Sequence, residues 1–386
     1  MSDEETKHWK LETRAIHAGR IPEDGTNAVT TPICPSTTYR VAYPGDDSGY
    51  VYSRWSNPTR LALENAMASL EEAHQAFFFS SGLAAVDAVL NLLNAGDHVV
   101  AVNDLYGGSH RLFEGLKKKH FNIEFSYVDG RDPADFESAI RDNTKLFWVE
   151  TPTNPLLHLI DIEAVAAIAH KHDILVAVDN TFATPVIQRP LTVGADIVHH
   201  SASKYLGGHC DVIGGALAVK DEALAERVRF NQYAVGATLG PFESWLVLRG
   251  LKTLHLRMER HSINSLKVVE FLESIERVSA IHYPGQDGSK PPNNMRYPGG
   301  MVSFELDADF ETVKKFAMAT RVFILAESLG GVESLINHPA SMTHASIPKD
   351  IREAHGITDQ LIRLSVGIES VDDLLIDLRD AFNAIR

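Results

Sequence analysis

Cysteine is almost missing from this chain of 386 residues, which has only Cys34 and Cys210. Two cysteines so far apart exclude a disulfide scaffold and a cysteine-built metal site, and such sparse thiol usage suits a reducing, cytoplasmic compartment. Cys210 reads as a packed thiol. No apolar run reaches 18 residues, so no membrane-spanning helix is expected. Cations are in deficit: 36 Lys and Arg stand against 51 Asp and Glu, a net charge of −15. Nucleic acid and anionic membrane both reward clustered cations, so neither is expected as a partner. The opening residues, Met1-Ser2-Asp3-Glu4-Glu5-Thr6-Lys7, carry no signal-peptide pattern. Internal repeats and low-complexity tracts are missing as well. His199-His200 and His170-Lys171-His172 lack the i, i+4 spacing or the nearby acid of a metal site, so no metal is expected. What remains is a chain of 44% hydrophobic composition, long enough to bury a large core in two domains.

Chemistry concentrates at Ser201-Ala202-Ser203-Lys204-Tyr205-Leu206-Gly207-Gly208-His209. The run Ala195-Asp196-Ile197-Val198 just before it reads as a buried strand, which places Lys204 where a strand ends and the chain turns. A lysine there can form an imine with an aldehyde. Alone, a solvated loop lysine is the plainer reading. Upstream, Ile174-Leu175-Val176-Ala177-Val178-Asp179 reads as a core parallel strand with a carboxylate at its carboxyl end, the end where open α/β sheets bind ligands. Such an acid can cap a helix, bind a metal or pair with a ligand cation. Lys204 and Asp179 together suit pyridoxal 5′-phosphate, whose ring nitrogen needs a carboxylate to stay protonated.

Other candidates lie at strand ends. Ala76-Phe77-Phe78-Phe79-Ser80 runs as a strand into Ser81-Gly82-Leu83-Ala84-Ala85 and a helix expected to reach about Asn94. Strand, Ser-Gly, helix N-terminus makes an anion cradle, although Ser-Gly also merely caps helices. His98–Val102 leads to Tyr106-Gly107-Gly108, where the Tyr could stack on a planar ring or simply pack. A strand follows near 123–128. Lys145–Glu150 opens into Thr151-Pro152-Thr153-Asn154-Pro155, whose prolines display Asn154. A helix is expected from Asp161 to His172, a strand over Val212–Val219 and a helix from about Asp221. This alternation predicts an α/β, mostly parallel, helix-covered sheet.

Residues 1–57 show no clean period and read as an extended arm against a neighbouring subunit. Within it, Tyr52 and Arg54 face the same way on extended chain, suiting a phosphate or, equally, a packing Tyr beside a solvated Arg. Asn57-Pro58-Thr59 starts a helix. Phe242 to Ile275 reads as a long helical stretch broken at Gly250. Beyond it, Met301–Leu306 and Leu361–Val366 alternate like half-exposed strands. Arg363 among apolar neighbours needs an anion, which a substrate carboxylate or a structural acid would supply. Leu325-Ala326-Glu327-Ser328-Leu329-Gly330-Gly331 is a glycine-bent loop.

Together, Tyr52-Ser53-Arg54, Asn57-Pro58-Thr59, Ser81–Ala85, Tyr106-Gly107-Gly108, Glu150–Pro155, Val178–Thr181, Ser201–Tyr205, Arg249–Leu254 and Arg363–Gly367 resemble the pyridoxal-phosphate enzymes of cysteine and methionine metabolism, with cystathionine γ-lyase and γ-synthase as the nearest members. The resemblance implies a fold-type I PLP-dependent transferase fold: an arm over 1–57, a cofactor-binding domain over 58–250 and a smaller α+β C-terminal domain over 251–386. It implies Lys204 as the Schiff-base lysine, Asp179 on the pyridine nitrogen, Tyr106 stacked on the ring and Asn154 near the ring's 3-oxygen and the substrate. The phosphate falls to Ser81, Gly82, Leu83, Ser201 and Ser203, with Tyr52 and Arg54 reaching in from a neighbouring subunit of a homotetramer. Arg363 and Ser328 hold the substrate α-carboxylate. Ser203 stands where the family usually has Thr, and Gly285–Pro292 is shorter than its counterpart.

Within the family, Glu327 would meet the distal ammonium of cystathionine. Methionine-acting relatives tend to be apolar there, with Cys in place of Gly108, and Leu329 departs from the Trp of some cystathionine β-lyases. The expectation is therefore γ-lyase, with γ-synthase as the alternative and methionine γ-lyase or β-lyase further off. A catalytically silent homologue acting as a binding protein is the reading from another class, opposed by the intact Lys204, Asp179, Tyr106 and Arg363.

Overall fold

A computed structural model describes residues 8–20, 27–286, 291–345 and 348–386. Seven strands form the first sheet: β1 (Gln75–Phe79), β2 (His98–Val102), β3 (Glu124–Val128), β4 (Thr144–Glu150), β5 (Leu175–Asp179), β6 (Ile197–Ser201) and β7 (Gly215–Val219). Their order is β1-β7-β6-β5-β4-β2-β3. β7 pairs antiparallel with both neighbours, and the remaining pairs are parallel. The inner strands are apolar on both faces because helices cover both. In β2 and β7 every residue is buried.

Local chemistry sets the helix starts. Asn57 caps helix Pro58–Glu71, its side chain accepting from the Thr59 and Arg60 N–H groups, with proline at the first helical position. Ser81, Asp161 and Asp221 cap the helices beginning at Gly82, Ile162 and Glu222 in the same way. Helix 82–90 stops at Leu90, short of Asn94. Helix 162–170 also ends two residues early, and β7 begins at Gly215 rather than Val212.

The expected long helix is two helices, Pro241–Leu251 and Leu254–Glu273. The second leads into a five-stranded sheet of order β10-β11-β12-β9-β8, built from β8 (Val278–His282), β9 (Met301–Leu306), β10 (Ile324–Leu325), β11 (Leu335–Asn337) and β12 (Leu361–Ser365). Here the alternation misleads. β9 is buried at five of its six positions and β12 throughout. Ser303 hydrogen-bonds the Pro155 carbonyl (2.7 Å), and Arg363 hydrogen-bonds Asn154. The polar positions in these strands therefore face polar partners inside the protein rather than water.

The arm is not wholly extended. Leu11–His17 is a helix whose Leu11 and Ala15 pack into the same core cluster as Leu63, Ala66 and Met67 of helix 58–71. Two turns are too short to show a period. Residues 287–290, the middle of the shortened stretch, lie outside the described residues. Cys210 is exposed, against the packed reading. Among the described residues no helix is long and apolar enough to cross a membrane.

Candidate active site

The carboxyl ends of β4, β5 and β6 open into a cavity of about 310 Å³, and the loop 327–329 and Arg363 of the other sheet close its far side. Carboxyl ends of parallel strands are where the backbone diverges and leaves room for a ligand.

Lys204 follows β6 and turns into this cavity. Its Nζ donates to Ser328 Oγ (2.7 Å). Burial pushes its pKa down to about 8, and the positive charge of Arg363 adds to the effect. A lysine so shifted holds much more free amine near neutral pH than a surface lysine. Ser328 pays for its place with a left-handed backbone (φ 86°), an uncommon conformation for a residue with a side chain. Its carbonyl accepts from Arg363 Nη2 (3.1 Å).

Asp179 ends β5. Its Oδ1 accepts from the Thr181 N–H (3.0 Å), and its Oδ2 lies 3.0 Å from His199 Nδ1. Burial alone would raise this carboxyl. His199 and Thr181 outweigh it, and the group sits below its ordinary value. Glu150 is its cross-strand neighbour in register. Burial, and next the charge of Asp179, hold Glu150 well above the carboxylate range. Glu150 Oε2 accepts from the Tyr106 N–H (2.9 Å).

Tyr106 also lines the cavity, at the start of helix Gly107–Leu112. A Cβ at Gly108 would collide with its ring, so glycine there lets the ring lie across the helix start. Opposite, Ser81 Oγ accepts from the Ala84 N–H (3.1 Å), leaving the first N–H groups of helix 82–90 free at the positive end of its dipole. A Cβ at Gly82 would come within 3.1 Å of the Ser201 side chain, so that cradle is closely packed. Ser203 Oγ accepts from the Gly214 N–H (3.0 Å).

Arg363 is fully buried, and burial lowers its pKa to about 10. Its Nη1 donates to Asn154 Oδ1 (2.7 Å) and its Nη2 to Ser328 O, while Nε has no hydrogen-bond partner among the described residues. Both acceptors are neutral, which favours the reading in which a ligand supplies the anion. Asn154 lies in the turn after β4, where the Thr151–Pro152 and Asn154–Pro155 peptide bonds are both cis.

Of the predicted residues, Ser81, Gly82, Leu83, Tyr106, Asn154, Asp179, Ser201, Ser203, Lys204, Glu327, Ser328 and Arg363 all line this one cavity. Tyr52 and Arg54 do not. Tyr52 is exposed, and Arg54 donates to the Tyr233 carbonyl (2.8 Å) with its guanidinium over the Tyr233 ring. Sequence reasoning passed over Glu150 and His199. Glu150 is the acid that ends the apolar run Lys145–Glu150, which is its local signal; that it lies beside Asp179 comes only from strand pairing. His199 carries no signal in the sequence beyond the weak metal-ligand pattern of His199-His200.

An amine of lowered basicity, a buried ionised acid, an anion-receptive helix start and a guanidinium hydrogen-bonded to neutral acceptors suit carbonyl chemistry on an amino acid, and they fit pyridoxal phosphate. The topology around them is that of fold type I, the class of enzymes built on that cofactor. Comparison narrows the class. The model of the Cys/Met metabolism PLP-dependent enzyme family matches residues 12–383, and the chain belongs to that family. It is 50% identical to the cystathionine beta-lyase of Coxiella burnetii, covering 99% of this chain and 100% of that one. It is 47% identical to the cystathionine gamma-lyase of Bacillus subtilis, covering 97% and 100%. The crystal structure of cystathionine gamma-lyase from Lactobacillus plantarum complexed with L-serine superposes with a TM-score of 0.94 at 48% identity, covering 98% of this chain and 99% of that one. The chain is thus a pyridoxal-phosphate lyase of cysteine and methionine metabolism, and the silent-homologue reading falls away.

Proposed function

We propose that the protein cleaves L-cystathionine by γ-elimination, giving L-cysteine, 2-oxobutanoate and ammonia. The observation that carries this reading is Glu327, a carboxylate on the cavity wall whose charge acts on both Lys204 and Arg363. With Arg363 and Ser328 at the α-carboxylate of an amino acid, Glu327 is an acceptor for a second, distal ammonium. Cystathionine has both groups.

Pyridoxal phosphate, when bound, supplies an electron sink for negative charge on the substrate α-carbon. The chain's own residues do the rest. Lys204 would hold the cofactor through its aldehyde carbon, and its amine is the base placed to take protons from the substrate's α- and β-carbons and to return one toward the leaving sulfur. Asp179 would keep the ring nitrogen protonated. Tyr106 would pack against the ring, and Asn154 would serve its 3-oxygen side. Ser81, Gly82, Leu83, Ser201 and Ser203 would hold the phosphate. Tyr52 and Arg54 complete that cradle in a neighbouring subunit of a homotetramer, each chain contributing an arm (1–57), a cofactor-binding domain (58–250) and a C-terminal domain (251–386).

A second reading, β-elimination to homocysteine, pyruvate and ammonia, is favoured by the name of the Coxiella relative. Leu329, buried on the cavity wall, is the residue set against it. Incubation with cystathionine alone, with identification of the oxo acid, separates the two: 2-oxobutanoate supports the proposal and pyruvate overturns it. Acylated homoserine with cysteine tests γ-replacement in parallel. Glu327→Ala should lower kcat/KM for cystathionine about 10-fold or more, the worth of one charged hydrogen bond. For a substrate without the distal amine it should change little. Equal losses would remove the argument from Glu327.

A further inference from the structure

His199 and His200 follow one another on β6 and point to opposite faces of the sheet. His200 Nε2 lies 2.6 Å from Glu71, deep in the core. His199 faces the cavity. Its Nε2 lies 3.0 Å from the Gly82 carbonyl, at the start of the anion-receptive helix. Its Nδ1 lies 3.0 Å from Asp179 Oδ2, and the two residues are cross-strand partners in register. The Nδ1 contact is close but lies off the line of a hydrogen bond. The Trp148 ring lies 5.8 Å away.

We propose that His199 is a positioning residue that joins the two ends of the cofactor site, steadying the helix start through Gly82 and holding Asp179 ionised and aimed at the ring nitrogen. Gly82 O can only accept, so Nε2 carries a hydrogen. The ring is thus held at both ends, against Gly82 O and against Asp179 Oδ2. That placement beside Asp179, and not beside Glu150, decides which of the two adjacent buried acids stays charged. Asp179 has His199 on one oxygen and the Thr181 N–H on the other. Among the described residues Glu150 has only the Tyr106 N–H, with Arg363 beyond it, and it faces the charges of Asp179 and Asp104. Two neighbouring buried carboxylates do not both ionise readily, so the proton stays on Glu150.

The inference rests on the reading of Asp179 as the ring-nitrogen partner. The test is cofactor affinity, measured by equilibrium dialysis of pyridoxal phosphate against His199→Met, His199→Asn and Asp179→Asn proteins, with kcat and KM for cystathionine alongside. His199→Met fills the space without a donor and should weaken cofactor binding ~10–100-fold, as loss of a charge-assisted contact does. kcat should fall while KM stays, because the polar partners of His199 are Gly82 and Asp179 rather than Arg363 or Ser328. His199→Asn restores a neutral donor, about half as strong, and should lie between, about 3- to 10-fold weaker than the parent. Parent-like affinity in either variant overturns the proposal, so the asparagine variant decides if the methionine one does not fold. If Asp179→Asn also binds like the parent, the reading of Asp179 fails with it. If only Asp179→Asn is impaired, the inference about His199 fails alone.

Discussion

At the scale of single residues, the site works by making ionisable groups unlike their exposed counterparts. Burial brings Lys204 down to about 8. Only its neutral form attacks an aldehyde, so uptake of pyridoxal phosphate by the cofactor-free protein should quicken about tenfold per pH unit below about 8 and level off above it. Stopped-flow absorbance checks this; a break near 10 would show an ordinary lysine. Glu150 shifts the other way, raised by burial and then by Asp179. A carboxyl raised in the folded state contributes stability that is complete below its unfolded value, about 4.3, and is lost as pH climbs through the folded value. Glu150→Gln keeps the uncharged shape, so its melting temperature should hold or rise by a few degrees at neutral pH and fall less than the parent's as pH increases. A large drop at neutral pH that disappears in acid would mean that Glu150 is ionised in the fold.

At the scale of elements, strand ends supply the reactive groups and glycines let neighbouring segments close on them. Gly108 leaves room for the Tyr106 ring. Gly108→Ala should push that ring aside and weaken cofactor binding up to about tenfold, the worth of one aromatic stack, with little change in the melting temperature of the cofactor-free protein. Unchanged affinity would show that Tyr106 does not depend on that space. Gly250 does a similar job behind the lysine. A Cβ there would collide with the Leu206 and Gly207 carbonyls, so helix 241–251 lies directly against the loop that carries Lys204.

At the scale of the whole molecule, the cavity is complete except for two expected residues. Tyr52 and Arg54 lie away from the chain's own cavity, on a surface that also exposes Trp55, Tyr233 and Val235. If they serve a neighbour's site, mixing Arg54→Ala and Lys204→Ala proteins under subunit exchange should restore activity that neither has alone. Some sites would then combine an intact lysine with an intact arginine. No recovery, once exchange is verified, would place the two residues in one site or in none. Much of this molecule could be read in advance. Apolar runs ending in Asp179, Glu150 and the Ser201–Lys204 segment are local, and strand length and hydrophobicity are written in consecutive residues. The chain's acidity, its two cysteines and its lysine at a strand end were likewise settled by sequence alone. Strand register is not local. It was tertiary pairing that set Glu150 and His199 on either side of Asp179, and burial on both faces of β9 and β12 that turned an apparent surface alternation into core. An acid's charge state depends on what packs against it, and those neighbours come from distant parts of the chain.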